Sequence, residues 1–550
     1  MDYKEKFLLW CDKVKNKNLL HELQEMVSNE QLIRDRFFKD LEFGTAGQRG
    51  IIGVGTNCFN IYTVIKTTQG FCNFLKAKNA KSVVICFDSR DKSKLFAKTA
   101  ATVFAENGIK VLIGHEIFPT PFVSYTIREM KASAGVMITA SHNPAEYNGY
   151  KAYLFDGCQL SDVIACEVMD KIEKVDPFLI KPRTFSFYEE SGLIEYIPKR
   201  IVNGYLTKVR EQHQASLEGL KIVYTPLNGA GWKMVPAVLK AVGCKDLLIV
   251  KEQFRPDKNF TTCPYPNPEK RIALELGIKY LQENDADLLI ATDPDADRLG
   301  AAYKQGTECK ILTGNEIGML LTDFVLRQKQ KKGTLPKNPF IVKTIVTSPL
   351  ANKIASEYGA RIIDTLTGFK NVGEIMNRME YSGEIDDFVI GFEESHGFLV
   401  GTHVRDKDGV VSAMLLAECA AHAKRKGKTL GDRLSELYKK YGYYYHKPYS
   451  IEFPGATGSE KKERLLKDFR KITIKEIAGK KVVEIIDLSQ ENRLSLPISD
   501  VVIINLEDSA QIIVRPSGTE PIVKFYMTSL SEDYEKFFAD AERFLTRAFV

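Results

Sequence analysis

The chain has 550 residues, 44% of them hydrophobic and 27% charged, an ordinary globular composition and enough length for three to four domains of about 150 residues. Its 77 basic and 71 acidic residues leave a net charge of +6, too evenly spread to argue for nucleic acid, and no apolar run reaches the ~18 residues of a membrane span. The ten cysteines include no C-x-x-C pair, and the apolar run Phe7 to Cys11 is too short for a signal-peptide core, so free thiols in a reducing cytoplasm are expected.

The first feature in chain order is F-G-T-A-G-Q-R-G, a Gly-rich loop in which Gly44, Thr45, Gly47 and Arg49 make a weak anion site. Ser82 to Asp91 then reads as a strand and turn, followed by a helical stretch and a second strand, Lys110 to Gly114. A third strand, Ala134 to Ile138, leads into M-I-T-A-S-H-N-P-A-E-Y-N-G at 137 to 149. Asn143-Pro144 stops the chain from continuing as strand or helix, which leaves Ser141 on a loop at a strand's carboxyl end, expected to be exposed. Ligands of open α/β sheets bind outside those ends.

The same pattern returns twice. Lys221 to Gly231 and Asp246 to Val250 lead to A-D-L-L-I-A-T-D-P-D-A-D-R at 286 to 298, which delivers Asp293, Asp295 and Asp297 at alternate positions, then Arg298. Phe340 to Pro349 and Ala360 to Asp364 lead to D-F-V-I-G-F-E-E-S-H-G at 387 to 397, which delivers Glu393 and Glu394. Strands alternating with helical segments predict α/β units on mixed, largely parallel sheets, three times over. After about Tyr449 the rhythm breaks, and the chain ends in two strand-like runs around R-P-S-G-T-E-P and a helical tail, a C-terminal α+β domain. The expected divisions are 1–207, 208–332, 333–447 and 448–550 around a central cleft, with linkers near Lys208 to Gly219, Gln328 to Pro339 and Tyr441 to Gly458.

Three carboxylates at alternate positions on a tight loop can converge on one hard cation, and an oxygen-only set completed by a phosphate oxygen suits Mg²⁺. An EF-hand is excluded, because counting from Asp293 places Arg298 where the loop needs Gly and Lys304 where it needs Glu. The serine-hydrolase elbow G-x-S-x-G is absent, and neighbours on an extended strand point apart, which argues against a Ser141–His142 dyad. No nucleotide cradle is present: Gly427-Lys428-Thr429 has His422 where the leading Gly belongs. A serine, a cation cluster and no nucleotide loop point to a phosphoryl group that the protein itself carries. Arg515 can pair bidentately with a phosphate, and Ser517, Gly518 and Thr519 offer hydroxyl and N–H groups beside it.

With these loops in view, the chain resembles the α-D-phosphohexomutase superfamily, most of all phosphoglucomutases of the bacterial and phosphoglucomutase-2/phosphopentomutase group. The resemblance rests on F-G-T-A-G at Phe43, T-A-S-H-N-P at Thr139, N-G-Y-K at Asn148, P-N-P-E at Pro266, D-P-D-A-D-R at Asp293, L-T-G-F-K at Leu366, F-E-E-S-H-G at Phe392, R-D-K-D-G at Arg405 and R-P-S-G-T-E-P at Arg515. It implies that Ser141 is a phosphoserine, that Asp293, Asp295, Asp297 and the phosphate on Ser141 bind one Mg²⁺, and that Arg298 and Arg49 steady the charge beside it. It further implies that Glu393, Ser395, Thr367 and Gly368 recognise the sugar, and that Arg515, Ser517, Gly518 and Thr519 hold the phosphate not being transferred. Lys407, Lys151 and His142 become the acid/base candidates, a lysine in that role needing to lose its charge.

The implied reaction interconverts glucose 1-phosphate and glucose 6-phosphate through glucose 1,6-bisphosphate, in a cytoplasmic monomer or weak homodimer whose partners are sugar phosphates. Phosphopentomutase or phosphomannomutase activity and a catalytically silent sugar-phosphate sensor are the alternatives. The chain departs from the family pattern at Gln48, where Leu is common, and at His396, where glucose-specific relatives usually carry Phe or Tyr.

Overall fold

The computed structural model describes residues 1–44, 47–453, 458–471, 474–490, 496–516 and 522–549. Three helices lead the chain, Tyr3–Lys13, Lys17–Met26 and Glu30–Phe37. The side chains of Asp2, Asn16 and Asn29 accept their first free backbone N–H groups, and their apolar faces meet around Trp10, Leu23 and Phe37.

The first sheet holds β1 (Gln48–Ile51), β2 (Ser82–Phe87), β3 (Lys110–Ile113), β4 (Ala134–Ile138), β5 (Tyr147–Leu154) and β6 (Ile194–Tyr196), in the order β1-β5-β4-β2-β3-β6. The second holds β7 (Lys221–Thr225), β8 (Asp246–Ile249), β9 (Leu288–Thr292), β10 (Leu299–Gln305) and β11 (Glu308–Leu312), in the order β11-β10-β9-β7-β8. The third holds β12 (Phe340–Thr344), β13 (Arg361–Thr365), β14 (Phe388–Glu393) and β15 (Gly397–Val400), in the order β13-β12-β14-β15. One unit recurs in all three: the first strand lies between parallel second and third strands, and a return strand runs antiparallel to the third. Helices pack on both faces, which is why strands such as β4 and β9 are fully buried and, but for Thr292, apolar.

The fourth sheet is wholly antiparallel: β16 (Tyr445–Glu452), β17 (Glu476–Ile477), β18 (Lys480–Asp487), β19 (Val502–Leu506), β20 (Gln511–Pro516) and β21 (Ile522–Ser529). Its edge strand β16 falls inside the stretch Tyr441 to Gly458 expected to be a linker. Pro448 obscured it, yet a proline is tolerated on an edge because the missing N–H faces no partner. The helices Lys199–Arg210 and Gly314–Lys331 likewise run into the other two expected linkers. Buried Glu418 fastens the first of these, accepting from the backbone N–H groups of Gln214 and Ala215 at 2.7 and 3.0 Å.

One continuous apolar core links the first three sheets, from Val84 through Ile290 to Leu415. The fourth sheet has a core of its own around Ile504, Phe525 and Leu545, and meets the third through a small cluster that includes Val346, Leu488 and Ile513. Three sheets therefore form one body, with the fourth joined to it by a smaller contact. Among the described residues no helix is long and apolar enough to cross a membrane.

Candidate active site

Ser141 lies three residues beyond β4 with φ +52°, in the left-handed region, its N–H donating to Thr139 Oγ1 at 2.8 Å. That turn swings Oγ onto Asp293 Oδ2 at 2.9 Å and to 3.2 Å from His142 Nδ1. Two expectations are corrected here. The serine is only 1% exposed, because the second sheet's loop packs over it. It also meets His142, because a residue in the left-handed region does not alternate as an extended strand does.

Buried Arg90 holds this loop from behind. Its guanidinium donates to the carbonyls of Ser141 and Asn143, and to those of Pro144 at 2.7 Å and Tyr147 at 3.1 Å, while Nε faces Asp88 Oδ2 at 3.2 Å. The sequence reading passed over it, although an arginine between two acids after the first repeat strand was a usable signal. Arg90→Ala strands four carbonyls and leaves Asp88 as an uncompensated buried charge. The expected loss is about 3–5 kcal/mol, read as a lowered midpoint in denaturant unfolding; an unchanged midpoint refutes the clamp.

Asp293, Asp295 and Asp297 are buried, with one oxygen of each within 4.8 Å of the others. Asp293 Oδ1 accepts the N–H groups of Asp297 and Arg298, at 3.1 and 2.9 Å, so the loop curls around its own first acid. Asp295 Oδ2 accepts from Thr120 Oγ1 and from Lys151 Nζ, both at 2.7 Å. Asp297 Oδ2 faces Lys151 Nζ at 2.9 Å and Lys407 Nζ at 3.2 Å. The Oδ1 atoms of Asp295 and Asp297 are buried without a hydrogen-bond partner among the described residues. Burial and the two neighbouring carboxylates hold the Asp293 carboxyl well above the usual range. Clustered acids with unused oxygens fit a hard divalent cation.

The lysines do not lose charge in this setting. Burial works to lower Lys151, but Asp295 and Asp297 outweigh it and raise it; Asp297, Asp406 and Glu393 do the same for Lys407. The expectation of an uncharged lysine thus fails for the protein groups taken alone, because the acids that bracket these ammonium groups favour the charged form. His142 differs. Burial, then Arg298 and Arg49, push its imidazole well below its ordinary value, so it is neutral at pH 7.

The second and third sheets are stitched together at the site. Arg298 and Gly397 form a β-bridge, Leu299 N–H donates to His396 O at 3.0 Å, and His396 Nδ1 lies 2.9 Å from Leu299 O. Lys407 and Glu393 converge over Gly397, where a Cβ would lie 2.3 Å from Lys407 Cδ and 2.7 Å from Glu393 Oε1; only glycine fits. Arg298 is paired with Glu269, and Asp406 accepts from Tyr153, Gln159 and Lys407. Thr120 was not singled out in the sequence, and Glu269 and Asp406, which lie within P-N-P-E and R-D-K-D-G, were given no role there, since none lies in a recurring loop position.

Gln48 is buried, with its Nε2 donating to Leu41 O at 2.8 Å, and Arg49, next on β1, donates from Nη1 to Asn143 Oδ1 at 3.1 Å. Thr367 and Gly368 open the helix Phe369–Ser382, where Asn371 Nδ2 donates to Thr367 O at 3.0 Å. No hydrogen bond among the described residues joins Thr367, Gly368 or Ser395 to the aspartate network. Arg515, on β20, hydrogen-bonds Tyr526 and draws down the carboxyl of Glu394, which burial and Glu393 nevertheless push up to about 7. Thr45, Ser517, Gly518 and Thr519 lie outside the described residues.

Three repeated α/β/α units and a β-rich fourth, with a serine and an acid cluster facing each other across strand ends, define an enzyme of the phosphosugar mutase class. Family models described as phosphoglucomutase/phosphomannomutase alpha/beta/alpha domains I, II and III match residues 40–178, 203–306 and 313–441. A phosphoglucomutase of Staphylococcus haemolyticus is 33% identical over 526 residues, covering 92% of this chain and 94% of that protein. A phosphoglucomutase/phosphomannomutase family protein of Burkholderia thailandensis superposes with a TM-score of 0.69 at 18% identity, covering 92% of this chain and 97% of that one. An Aspergillus fumigatus N-acetylphosphoglucosamine mutase, solved in complex with GlcNAc-6P and magnesium, gives 0.51 at 15% identity, covering 93% and 96%. The chain belongs to the phosphoglucomutase/phosphomannomutase family, whose members are intramolecular phosphotransferases acting as isomerases.

Proposed function

We propose that the chain interconverts glucose 1-phosphate and glucose 6-phosphate, with Ser141 as the phosphoryl carrier. The observation that carries this reading is the placement of Ser141 Oγ between Asp293 and His142, facing the acid cluster. Phosphorylated Ser141 gives its phosphoryl group to the sugar's 6-hydroxyl: the Oγ–P bond breaks, an O6–P bond forms, and the hydroxyl proton passes by way of a base to the departing Oγ. The resulting glucose 1,6-bisphosphate turns over in the cleft and returns its other phosphoryl group to Ser141, whose own proton passes to His142 Nδ1 or Asp293 Oδ2, the two atoms in reach.

Asp293, Asp295 and Asp297 would hold Mg²⁺, which, when bound, would neutralise charge on the transferring phosphoryl group. Before any cation is bound, the surrounding acids favour the charged form of Lys151 and Lys407, while burial, Arg298 and Arg49 favour a neutral His142, which makes His142 the preferred base. Glu393 and Ser395, with Thr367 and Gly368, would bind sugar hydroxyls. Arg515 with Ser517, Gly518 and Thr519 would grip the resting phosphate. The small contact between the fourth sheet and the rest allows that sheet to close over the sugar and keep water from the phosphoserine.

Initial rates on glucose 1-phosphate, mannose 1-phosphate and ribose 1-phosphate test the substrate. The highest kcat/KM is expected on glucose 1-phosphate; a preference for either of the others replaces this reading with phosphomannomutase or phosphopentomutase. Arg515→Ala removes a charge-assisted contact worth about 1.5–3 kcal/mol, so kcat/KM should fall about 10- to 150-fold. KM should rise and kcat should fall together if the grip also drives closure. Wild-type kinetics would reduce Arg515 to part of a turn.

A further inference from the structure

A second cavity, of about 740 Å³, lies on the far side of β1 from the serine loop, between the helices Tyr3–Lys13 and Ile61–Ala77 and the segment that follows the helix Asp162–Glu173. One wall is aromatic. The Trp10 ring lies 5.6 Å from both Tyr62 and Phe178, and those two lie 5.1 Å apart. Opposite stands a charge arrangement that does not close on itself. Lys6 and Lys66, each about one-fifth exposed, share the single carboxylate of Asp40 at 2.8 and 2.6 Å. Two ammonium groups on one acid leave a local positive charge, since Lys13, Lys39 and Lys174 elsewhere in the lining are matched in number by Glu42, Glu173 and Asp176, and each nitrogen keeps N–H donors that Asp40 cannot use. The floor is polar and fixed: Thr67 Oγ1 donates to Gln48 Oε1 at 2.9 Å, and both residues are buried.

We propose that this cavity is a second binding site, for a nucleotide-type organic phosphate whose ring lies against Tyr62 and Phe178, in front of buried Trp10, and whose phosphate takes the free donors of Lys6 and Lys66. A phosphate matches paired ammonium donors, and a flat ring matches an aromatic wall that no sugar hydroxyl would satisfy. The volume admits a molecule of that size. Gln48 on the floor precedes Arg49, so ligand and active site share one strand.

The chain has two tryptophans, Trp10 and Trp232, so Trp232→Phe leaves Trp10 as the sole indole reporter. In that protein AMP, ATP, adenosine and inorganic phosphate are titrated against indole emission, with calorimetry in parallel. AMP or ATP is expected to quench saturably, and adenosine or phosphate alone to bind about tenfold more weakly or worse. Lys66→Gln keeps most of the aliphatic stem and removes the charge; it should weaken nucleotide binding about tenfold or more, with unfolding midpoint and mutase kinetics unchanged, and Lys6→Gln should do the same. Absence of saturable quenching by either nucleotide overturns the proposal. So does nucleotide binding that both lysine variants leave intact, which would place the ligand elsewhere, or adenosine binding as tightly as AMP, which would remove the phosphate from recognition.

Discussion

Ser141→Ala is expected to lower mutase turnover by about 10⁴-fold or more, since among the described residues no other hydroxyl donates to Asp293. The fold should survive. Asp293 Oδ2 loses one donor, a cost of about 1 kcal/mol, and the three sheets keep their shared core. Two measurements belong together: steady-state kinetics on protein free of contaminating mutase, and phosphate content of the purified chain. Appreciable turnover by Ser141→Ala, or covalent phosphate retained at another residue, would remove Ser141 from the mechanism. Ser141→Thr is a sharper companion. It keeps a hydroxyl but places a β-branched residue at φ +52°, so it should fold poorly or position its oxygen badly.

The acid cluster yields the second large effect and splits it by residue. Asp293→Asn and Asp295→Asn each remove one anionic ligand, and each should cut Mg²⁺-supported kcat/KM by about 100-fold or more. Without added metal their stabilities should diverge. The folded-state pKa of Asp293 lies above its unfolded value, so the stability present while it is protonated is lost as pH rises through the folded value. Asparagine mimics the protonated form and should raise metal-free stability at pH 7 by about 1 kcal/mol. Asp295 has the opposite sign, because Lys151 outweighs burial and holds it below its ordinary value, giving stability that is present above the unfolded pKa and lost as pH falls through the folded one. Asp295→Asn should therefore lower metal-free stability. Thermal melts in chelator with and without Mg²⁺ decide the matter; equal shifts for the two variants, or activity indifferent to chelator, would end the assignment.

The repeat was legible because a buried parallel strand writes itself as an unbroken apolar run. Ala134 to Ile138 reads off the sequence with the bounds it has in the fold, and the runs at Lys221 and Phe340 begin where β7 and β12 begin. The serine and the three aspartates were legible as loops at strand ends, and the structure brings these four side chains together. What stayed hidden depends on contacts between distant segments. Nothing local to T-A-S-H-N-P reveals that another sheet's loop covers Ser141, that its backbone turns left-handed to reach His142, or that Arg90 sits behind four of its carbonyls. The β16 strand was lost to Pro448, read as a breaker when it marks an edge. The setting of the lysines was hidden for want of their neighbours, since burial alone favours neutrality and Asp295, Asp297, Asp406 and Glu393, all brought in from distant segments, oppose it.

The bridge between Arg298 and Gly397, together with the reach of Asp293 to Ser141, bears on the life of the chain as it is made. The serine emerges during synthesis long before the aspartate and arginine loops that surround it, and until they arrive it is one unremarkable alcohol among many. On the proposed mechanism the covalent phosphate can be acquired only by a molecule whose second and third sheets have already docked. Phosphate content is then a tally of correctly assembled molecules, so a preparation's phosphorylated fraction, weighed on the intact protein, would grade its quality before any substrate is added.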